Sequence, residues 1–342
     1  MTDRPQQAVR TPTLEDVARV AGVSRATVSR VINGVDTVDV ALREVVREAV
    51  AATGYTPNRA ARSLVTKRTG SIALVVSGAE RSSEQVFGDP FFGRVTAGVV
   101  RYLRTLGIHP ALLLADSDQA RAQAVSFVGQ GNADGALLVS IHPADPLPRL
   151  FVEQGLPAVL FARPSEPVPV SYVDLAHEAG AALAADRLAS RGCRRVVSIA
   201  GPADLPAAQD RLTGFRQTMA RHGHPYVPVA EGNFTVESGE LAMERLLEST
   251  PDLDGVFAAN DMMALGALRA LRQRGRRVPD DVAVIGFDDS SPAEGARLTS
   301  VAQPIEEMAA EMARLLLRHI EDPTGPPTSV IFDPVLVTRD TA

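Results

Sequence analysis

The chain of 342 residues has no tryptophan, a single cysteine and only 4% aromatic residues. The lone cysteine, Cys193, excludes an internal disulfide and any zinc site built from cysteines. No apolar run reaches the roughly 18 residues that a membrane span requires. Residues 1–13 are polar and lack the apolar segment of an export signal. These absences together predict a cytoplasmic protein.

The composition is that of a globular protein with a sizeable core. Hydrophobic residues make up 45% and charged residues 22%, and this length predicts two or three domains. The net charge of −6 is unevenly distributed: residues 1–68 hold 11 Lys and Arg against 7 Asp and Glu, hence +4, which leaves −10 for the rest. A basic first segment predicts contact with a polyanion, although solvated helix faces would give the same charge.

Three short helical patterns follow one another in residues 13–54. Thr13 is placed to cap the first helix, Gly22 ends it, Ser24 begins the second, and Gly54 ends the third. A helix, a glycine-containing turn and a second helix form the arrangement that places one helix in the major groove of DNA. An ordinary helical hairpin is the alternative.

The second of these helices carries hydroxyl and guanidinium groups on its outward, N-terminal part. Hydroxyls and a helix N-terminus suit phosphates, and arginine reaches base edges or phosphates. The outward side chains are Ser24, Arg25, Thr27, Ser29 and Arg30.

From residue 71 onward, β-branched and aliphatic runs alternate with helical stretches. Continuous apolar strands between helices predict parallel sheets covered on both faces, and the spacing favours two doubly wound α/β lobes over a barrel. The proline-rich stretch 164–169 is the predicted break between them, and 329–338 is predicted as a strand of the second lobe. The other predicted strands are 72–76, 111–114, 136–139, 158–161, 196–200, 255–258 and 282–287.

Several motifs over nearly the whole length carry a family resemblance. They are Asp16-Val-Ala, Ala21-Gly-Val-Ser, Thr27-Val-Ser-Arg-Val, Tyr55-x-Pro57-Asn58-x-x-Ala61-Arg62-x-Leu64, Asp89-Pro-Phe-Phe92, Arg211-Leu-Thr-Gly-Phe215, Asn260-Asp261-x-x-Ala264-x-Gly266, Gly286-Phe-Asp-Asp289 and Gln303-Pro304. In this order and spacing the sequence resembles the lactose-repressor/galactose-repressor (LacI/GalR) family of bacterial transcription regulators. Asp89 stands where that family usually has Asn.

The resemblance implies a helix-turn-helix head over residues 1–55, a hinge helix and linker over 56–69, and an effector-binding and dimerisation domain over 70–342. That domain is expected to be like a periplasmic binding protein, with lobe 1 at about 70–165 and 304–326, lobe 2 at about 170–300 and 329–342, and crossings near 163–170, 298–304 and 325–330. In the family, a leucine at the position of Leu64 wedges between base pairs in the minor groove; a plain apolar residue is the alternative. The implied DNA-binding residues are Thr13, Leu14, Ser24, Arg25, Ala26, Thr27, Ser29, Arg30, Asn33, Tyr55, Asn58, Ala61, Arg62 and Leu64.

The resemblance also implies a small-molecule effector in the cleft between the lobes. Arg211 and Asp288 offer a fork of donors and a bidentate acceptor, which with few aromatics predicts a carbohydrate or polyol; a nucleobase or organic acid is the alternative. Phe92 could instead be core, Arg163 could pair with a helix end or the opposing lobe, and Gln303 could tie two crossover strands. The implied effector-binding residues are Ser77, Phe91, Phe92, Arg163, Arg211, Phe234, Asn260, Asp288 and Gln303.

The expected protein is therefore an allosteric repressor that binds a pseudo-palindromic operator as a homodimer, with no cofactor, no metal and no membrane partner. Whether the ligand acts as inducer or corepressor stays open. A transporter's solute-binding protein would share the body but has no use for residues 13–64. An enzyme would need a nucleophile–base set or metal ligands, and the sequence offers only the pair Asp288-Asp289, for which ligand binding and turn capping are the alternative roles.

Overall fold

A computed structural model describes residues 12–32, 38–55, 68–77, 88–140, 142–143 and 145–342. The chain divides into two compact units, with the boundary between Thr69 and Gly70.

Three helices make up the described part of the first unit: α1 (Leu14–Ala21), α2 (Arg25–Ile32) and α3 (Val40–Thr53). The predicted capping box at α1 is confirmed, since the Thr13 side chain accepts from the Asp16 N–H and the Asp16 carboxylate accepts from the Thr13 N–H at 2.9 Å. Gly22 ends α1 with a φ of 65°, a left-handed conformation that glycine adopts without strain.

A small apolar core joins the three helices. Val17 of α1, Val28 of α2 and Val46 of α3 are fully buried against one another. Because each helix turns one of these valines inward, the three pack together and the start of α2 is left exposed. The predicted helix-turn-helix is confirmed.

The second unit alternates strands and helices. Its strands are β1 (Ser71–Ser77), β2 (His109–Leu114), β3 (Ala136–Ser140), β4 (Ala158–Phe161), β5 (Ser171–Leu175), β6 (Val196–Ala200), β7 (Val229–Glu231), β8 (Gly255–Ala258), β9 (Ala283–Asp288), β10 (Thr299–Ala302), β11 (Ser329–Phe332) and β12 (Val335–Val337). Its helices are α4 (Pro90–Thr105), α5 (Asp118–Gly129), α6 (Leu147–Glu153), α7 (His177–Ser190), α8 (Pro206–Arg221), α9 (Val236–Ser249), α10 (Asp261–Gln273), α11 (Ser291–Gly295) and α12 (Ile305–Glu321).

The strands form two six-stranded sheets, which define two lobes. Lobe 1 has the order β11-β5-β4-β3-β1-β2, and lobe 2 the order β12-β10-β9-β8-β6-β7. All neighbours are parallel except β12, which runs antiparallel to β10. Strands such as β4 and β6 are buried along their whole length, as parallel strands covered on both faces should be. The predicted fold of two parallel-sheet α/β lobes is confirmed.

The predicted first crossing at 163–170 is wrong, and with it the end of lobe 1 at about 165 and the start of lobe 2 at about 170. Residues 164–169 connect β4 to β5 within the first sheet, where β5 pairs with β4 and buries Val173 and Leu175 in the core of lobe 1. The chain passes to lobe 2 after Leu175, at the start of α7. Prolines keep this stretch out of regular structure without making it an interdomain linker.

The predicted strand 329–338 is also wrong as a single strand of lobe 2, as is the crossing near 325–330. β11 pairs with β5 in the sheet of lobe 1, and only β12 joins lobe 2. The passage falls at residues 333–334, where Pro334 has no N–H with which to continue a ladder. The remaining passage lies at Gln303 and Pro304, between β10 and α12.

Candidate functional site

A cavity of about 510 Å³ lies between the two lobes of the second unit. This volume is in the range of small-molecule sites, which in parallel α/β sheets lie beyond the carboxyl ends of the strands. The sequence-predicted effector residues on its lining are Phe91, Phe92, Arg163, Arg211, Phe234, Asn260, Asp288 and Gln303. Both lobes contribute to the lining.

Ser77 is the predicted effector residue that the structure does not place on this lining. It ends β1, is 1% exposed, and its hydroxyl donates to the carbonyl oxygen of Ala115 at 3.1 Å. Its side chain therefore ties β1 to the segment after β2.

Arg211 is the charged centre of the cavity floor. It lies in the first half of α8, is 5% exposed, and donates from Nη1 to the carbonyl oxygen of Ala259 at 2.5 Å. The same nitrogen lies 3.5 Å from Asp288 Oδ1, and the guanidinium lies 3.8 Å from the centre of the Phe287 ring. A buried guanidinium held by a carbonyl, a carboxylate and an aromatic face is fixed in place before any ligand arrives.

Asp288 faces Arg211 from the end of β9. Its backbone has a φ of 107°, a strained conformation for a residue with a side chain, of the kind that clusters at ligand sites. Gln303 Nε2 donates to its Oδ1 at 2.5 Å. Burial raises the pKa of Asp288 to about 6, while the Arg211 charge and the Gln303 hydrogen bond oppose that rise.

Two neighbouring aspartates have structural partners. Asp261, at the start of α10, accepts from the Ser290 N–H at 2.7 Å and from the Ser300 hydroxyl at 2.5 Å. Burial of the Asp261 carboxyl, and then the nearby Asp288 charge, raise its pKa to about 7. Asp289 pairs with Arg339 at 2.6 Å. Asp289 is not on the cavity lining, and the roles considered for it from the sequence stay predictions.

Asn260 and Phe234 form one side of the cavity together. Asn260 caps α10, accepting from the Met263 N–H at 2.9 Å, and its Nδ2 donates to the Phe234 carbonyl oxygen at 3.1 Å. Phe234 has a φ of 67°, and its ring lies over Gly201, where a Cβ would collide with it. The amide of Asn260 thus holds the loop that presents the Phe234 ring.

Phe91 and Phe92 open α4, which Asp89 caps by accepting from the Phe91 N–H at 3.0 Å. The Phe91 ring meets the rings of Phe92 and Phe161 edge to face, at centroid distances of 5.2 and 5.4 Å. Phe92 is 3% exposed and packs in the lobe 1 core. Phe92 is therefore a core residue that also lines the cavity, and its contact with an effector stays a prediction.

The mouth of the cavity is more exposed than its floor. Arg163, on the segment between β4 and β5, reaches across to Asp210 of α8 in lobe 2, with a 2.7 Å contact and about half its side chain exposed. The alternative of pairing with the opposing lobe is therefore what the structure shows for Arg163. Arg149 and Glu166 form a second exposed pair at 2.6 Å within lobe 1.

The sequence reasoning missed His177 and Asp174, which also line the cavity. His177 is buried; its Nδ1 accepts from Arg211 Nε at 3.3 Å, and its Nε2 lies 3.4 Å from Asp174 Oδ1. Burial, and then the Arg211 charge, lower the pKa of His177, which keeps the ring neutral and able to accept. Both residues lie at the carboxyl end of β5, a strand that the sequence did not reveal.

The recognition helix α2 presents an exposed face in the first unit. Ser24, Arg25, Ala26 and Arg30 are exposed, while Thr27 and Ser29 are half-buried. The Ser24 hydroxyl caps the helix by accepting from the Thr27 N–H at 3.1 Å, and Arg25 lies 3.1 Å from Glu15 in an exposed ion pair.

The other predicted DNA-binding residues divide into two groups. Thr13 caps α1, and Leu14 and Tyr55 pack against the core of the three helices. Asn33, Asn58, Ala61, Arg62 and Leu64 lie outside the described residues.

Within the described ranges, no cluster of three or more His, Cys, Asp or Glu side chains is arranged to hold a metal ion. Among the helices of those same ranges, none is both long enough and apolar enough to cross a bilayer.

Comparison with known proteins defines the class. Residues 13–58 match the model of "Bacterial regulatory proteins, lacI family", and residues 185–342 match that of a "Periplasmic binding protein-like domain". The chain belongs to the LacI family of bacterial transcriptional regulators, as its motifs predicted, and is a DNA-binding regulator of the helix-turn-helix type.

Individual relatives match over nearly the full length. The HTH-type transcriptional regulator CelR of Thermobifida fusca is 46% identical over 97% of this chain and 98% of its own. A structure described as a CelR–cellobiose complex is 43% identical, with a TM-score of 0.75 over 97% of this chain and 100% of that one. The lac repressor dimer bound to operator and an anti-inducer is 26% identical, with a TM-score of 0.82 over 97% and 99% of the two chains.

Proposed function

We propose that the chain is a homodimeric transcriptional repressor whose operator affinity is controlled by a saccharide bound between lobes 1 and 2. The proposed parts are a DNA-binding head over residues 1–55, a hinge and linker over 56–69, and the effector and dimerisation domain over 70–342. We further propose that it acts in the cytoplasm by binding alone, without turnover of its ligand. Its membership of a family of transcriptional regulators supports the proposed action in the cytoplasm and the proposed absence of turnover.

One observation carries the ligand class: the pair of the buried Arg211 and the partly buried Asp288 on the floor of a cavity edged by phenylalanine rings. Fixed donors and acceptors suit vicinal hydroxyls, and a ring such as Phe234 suits the apolar face of a pyranose. Buried polar groups also discriminate strongly, because an analogue that lacks one hydroxyl leaves a protein group unpaired. The match to the CelR–cellobiose complex makes cellobiose the first ligand to test.

Calorimetry of the full chain against a matched panel tests this ligand class. The panel comprises cellobiose, maltose, ribose and a purine nucleoside, so that linkage, size and chemical class each vary in turn. We expect binding of cellobiose and weaker or no binding of the others. Tight binding of the nucleoside alone would overturn the saccharide proposal and leave the regulator function intact.

The DNA contacts are proposed for the exposed face of α2 and for the residues of 56–69 named above. In this arrangement Arg25 and Arg30 meet base edges or phosphates, and Leu64 wedges into the minor groove. Selection from random duplex DNA with the full chain should return a pseudo-palindrome, because two heads of a dimer read two half-sites. Recovery of a single unsymmetrical half-site would contradict the proposal that a homodimer binds the operator with two heads.

A further inference from the structure

Arg94 of α4 joins the two lobes behind the cavity. Its Nη1 donates to the carbonyl oxygen of Asp288 at 2.7 Å, and its Nη2 donates to the carbonyl oxygen of Gln303 at 3.0 Å. α4 belongs to lobe 1, whereas Asp288 ends β9 of lobe 2 and Gln303 lies on the passage between the lobes. One side chain therefore holds two backbone positions that are more than 190 residues away along the chain.

Glu306 fixes the same guanidinium to lobe 1. Arg94 Nε donates to Glu306 Oε1 and Nη2 to Oε2, both at 2.8 Å, which is the bidentate geometry of a strong arginine–carboxylate pair. The side chains are 20% and 30% exposed. The hydrogen bond from Arg94 lowers the pKa of Glu306, so the pair stays ionised near neutral pH.

The two carbonyl groups that Arg94 holds belong to residues whose side chains meet in the cavity. Gln303 donates to the Asp288 carboxylate, which also faces Arg211. Arg94 itself is not on the cavity lining. A rotation of lobe 2 away from lobe 1 would stretch both Arg94–carbonyl bonds, whereas the Arg94–Glu306 bonds, which lie within lobe 1, would persist.

We propose that Arg94 is a positioning residue that holds the passage between the lobes in its ligand-competent arrangement and so sets the apparent affinity for the effector. This inference rests on the proposed saccharide function for its ligand, but its conformational part does not. When only a fraction of molecules is competent, the apparent Kd is the intrinsic Kd divided by that fraction. Loss of the Arg94 hydrogen bonds to the two carbonyl oxygens should therefore weaken the binding of every effector by the same factor.

A distance measurement without ligand tests the conformational part. Spin labels on Gln154→Cys in lobe 1 and Gln217→Cys in lobe 2 report the lobe separation in the full chain, since both positions are exposed and the native Cys193 is buried. We expect Arg94→Gln to shift or broaden the distance distribution. Arg104→Gln, an exposed arginine near the end of the same helix, should leave it unchanged. Identical distributions for wild type and Arg94→Gln would overturn the proposal.

Calorimetry with cellobiose and its single-deoxy analogues tests the effect on affinity. Arg94→Gln should weaken cellobiose binding about tenfold or more, through the lower competent fraction, and should keep the ratios between analogues. Asp288→Asn, a change on the lining, should alter those ratios. A change of ratios in Arg94→Gln, or an unchanged Kd, would contradict the positioning role.

Two safeguards keep the outcomes distinct. Arg94→Lys replaces Arg94→Gln if the glutamine variant folds poorly. A lysine retains the charge near Glu306 but cannot donate to two carbonyl groups at once, so its cellobiose affinity should lie between those of wild type and Arg94→Gln. If wild type binds no cellobiose, the saccharide proposal fails, while the spin-label distances still decide the role of Arg94.

Discussion

Two arginines, Arg30 on α2 and Arg211 on α8, are proposed to meet two different ligands, and their surroundings differ sharply. Arg30 is exposed, whereas Arg211 is 5% exposed and already has a carbonyl, a carboxylate and an aromatic ring as neighbours. DNA brings its own negative charge to a surface arginine, so that site needs no internal partner. A neutral sugar brings no charge, so the guanidinium of Arg211 needs a counter-charge from the protein itself, which Asp288 supplies. Substitutions on the α2 face should therefore change binding alone, whereas substitutions in the cavity floor should change binding and folding together.

The largest effect is expected from removing Arg211. Arg211→Ala should abolish cellobiose binding and destabilise the fold by about 3–5 kcal/mol, because it leaves the largely buried Asp288 carboxylate without its opposite charge. Calorimetry and denaturant unfolding measure the two effects. Asp288→Asn keeps the shape of the side chain and should weaken binding about 10–100-fold with a smaller loss of stability. Normal cellobiose binding by Arg211→Ala would refute this account of the floor.

A smaller effect, confined to DNA, is expected on α2. Arg30→Ala should cost about 1–3 kcal/mol in operator affinity if the side chain reads a base edge, with no change in thermal midpoint or in cellobiose affinity. Fluorescence anisotropy with a labelled operator measures the loss. Arg47→Ala, an exposed arginine of α3 outside the proposed contacts, is the control. Equal operator affinity for Arg30→Ala and wild type would remove Arg30 from the DNA interface.

A pH titration separates the two regions further. The pKa of Asp288 is raised from its ordinary 3.8 to about 6 in the folded protein. Lowering the pH through that value protonates the folded state before the unfolded one. Acid should therefore stabilise wild type relative to Asp288→Asn, an advantage complete below the unfolded pKa and lost as the pH rises past about 6. Cellobiose affinity should fall over the same range, because the ionised acceptor disappears.

Unfolding and calorimetry on wild type and Asp288→Asn from about pH 3 to about pH 8 measure both trends. Comparing the two proteins cancels the contribution of His177, whose lowered pKa has the opposite effect on stability. Part of the remaining difference belongs to Asp261, because the Asp288 charge helps to raise its pKa to about 7. Cellobiose affinity that is independent of pH in wild type would show that the sugar does not use the Asp288 carboxylate.

The smallest effect is expected at the mouth. Arg149→Gln breaks only an exposed ion pair, whose contribution is about 0–1 kcal/mol. Arg163→Gln should likewise change cellobiose affinity less than about fivefold, since Arg163 is half exposed and paired with Asp210. Calorimetry of these two variants with cellobiose gives the reference against which the losses of affinity in the Arg211 and Asp288 variants are compared. A loss at the mouth as large as that of Asp288→Asn would place the principal contacts of the ligand there.

Much of the fold was predictable because most strands are continuous aliphatic runs. The three missed strands break that rule. β5 follows prolines and contains Asp174, β7 is three residues long at a sheet edge, and β10 begins with Thr299 and Ser300. The hydroxyls of Thr299 and Ser300 are buried only because Ala342 and Asp261 accept from them, over 39 residues or more of chain. Such partners cannot be inferred from local sequence.

The same reasoning explains the site. Phe91, Arg211 and Asp288 belong to recognisable motifs, and all of them line the cavity. His177 escaped because the strand before it was not recognised. The partners of Arg94 lie 194 to 212 residues away, a separation at which only the topology of the two sheets brings groups together.

The central claim is that the saccharide in the cavity and the operator at α2 are coupled through one protein. The most direct measurement is the operator affinity of the full chain, by anisotropy at fixed salt, with and without saturating cellobiose. The account predicts a change of about fivefold or more in Kd, in either direction, and by reciprocity the same factor in cellobiose affinity when operator is present. Equal operator affinities with and without a sugar that calorimetry shows to be bound would contradict it.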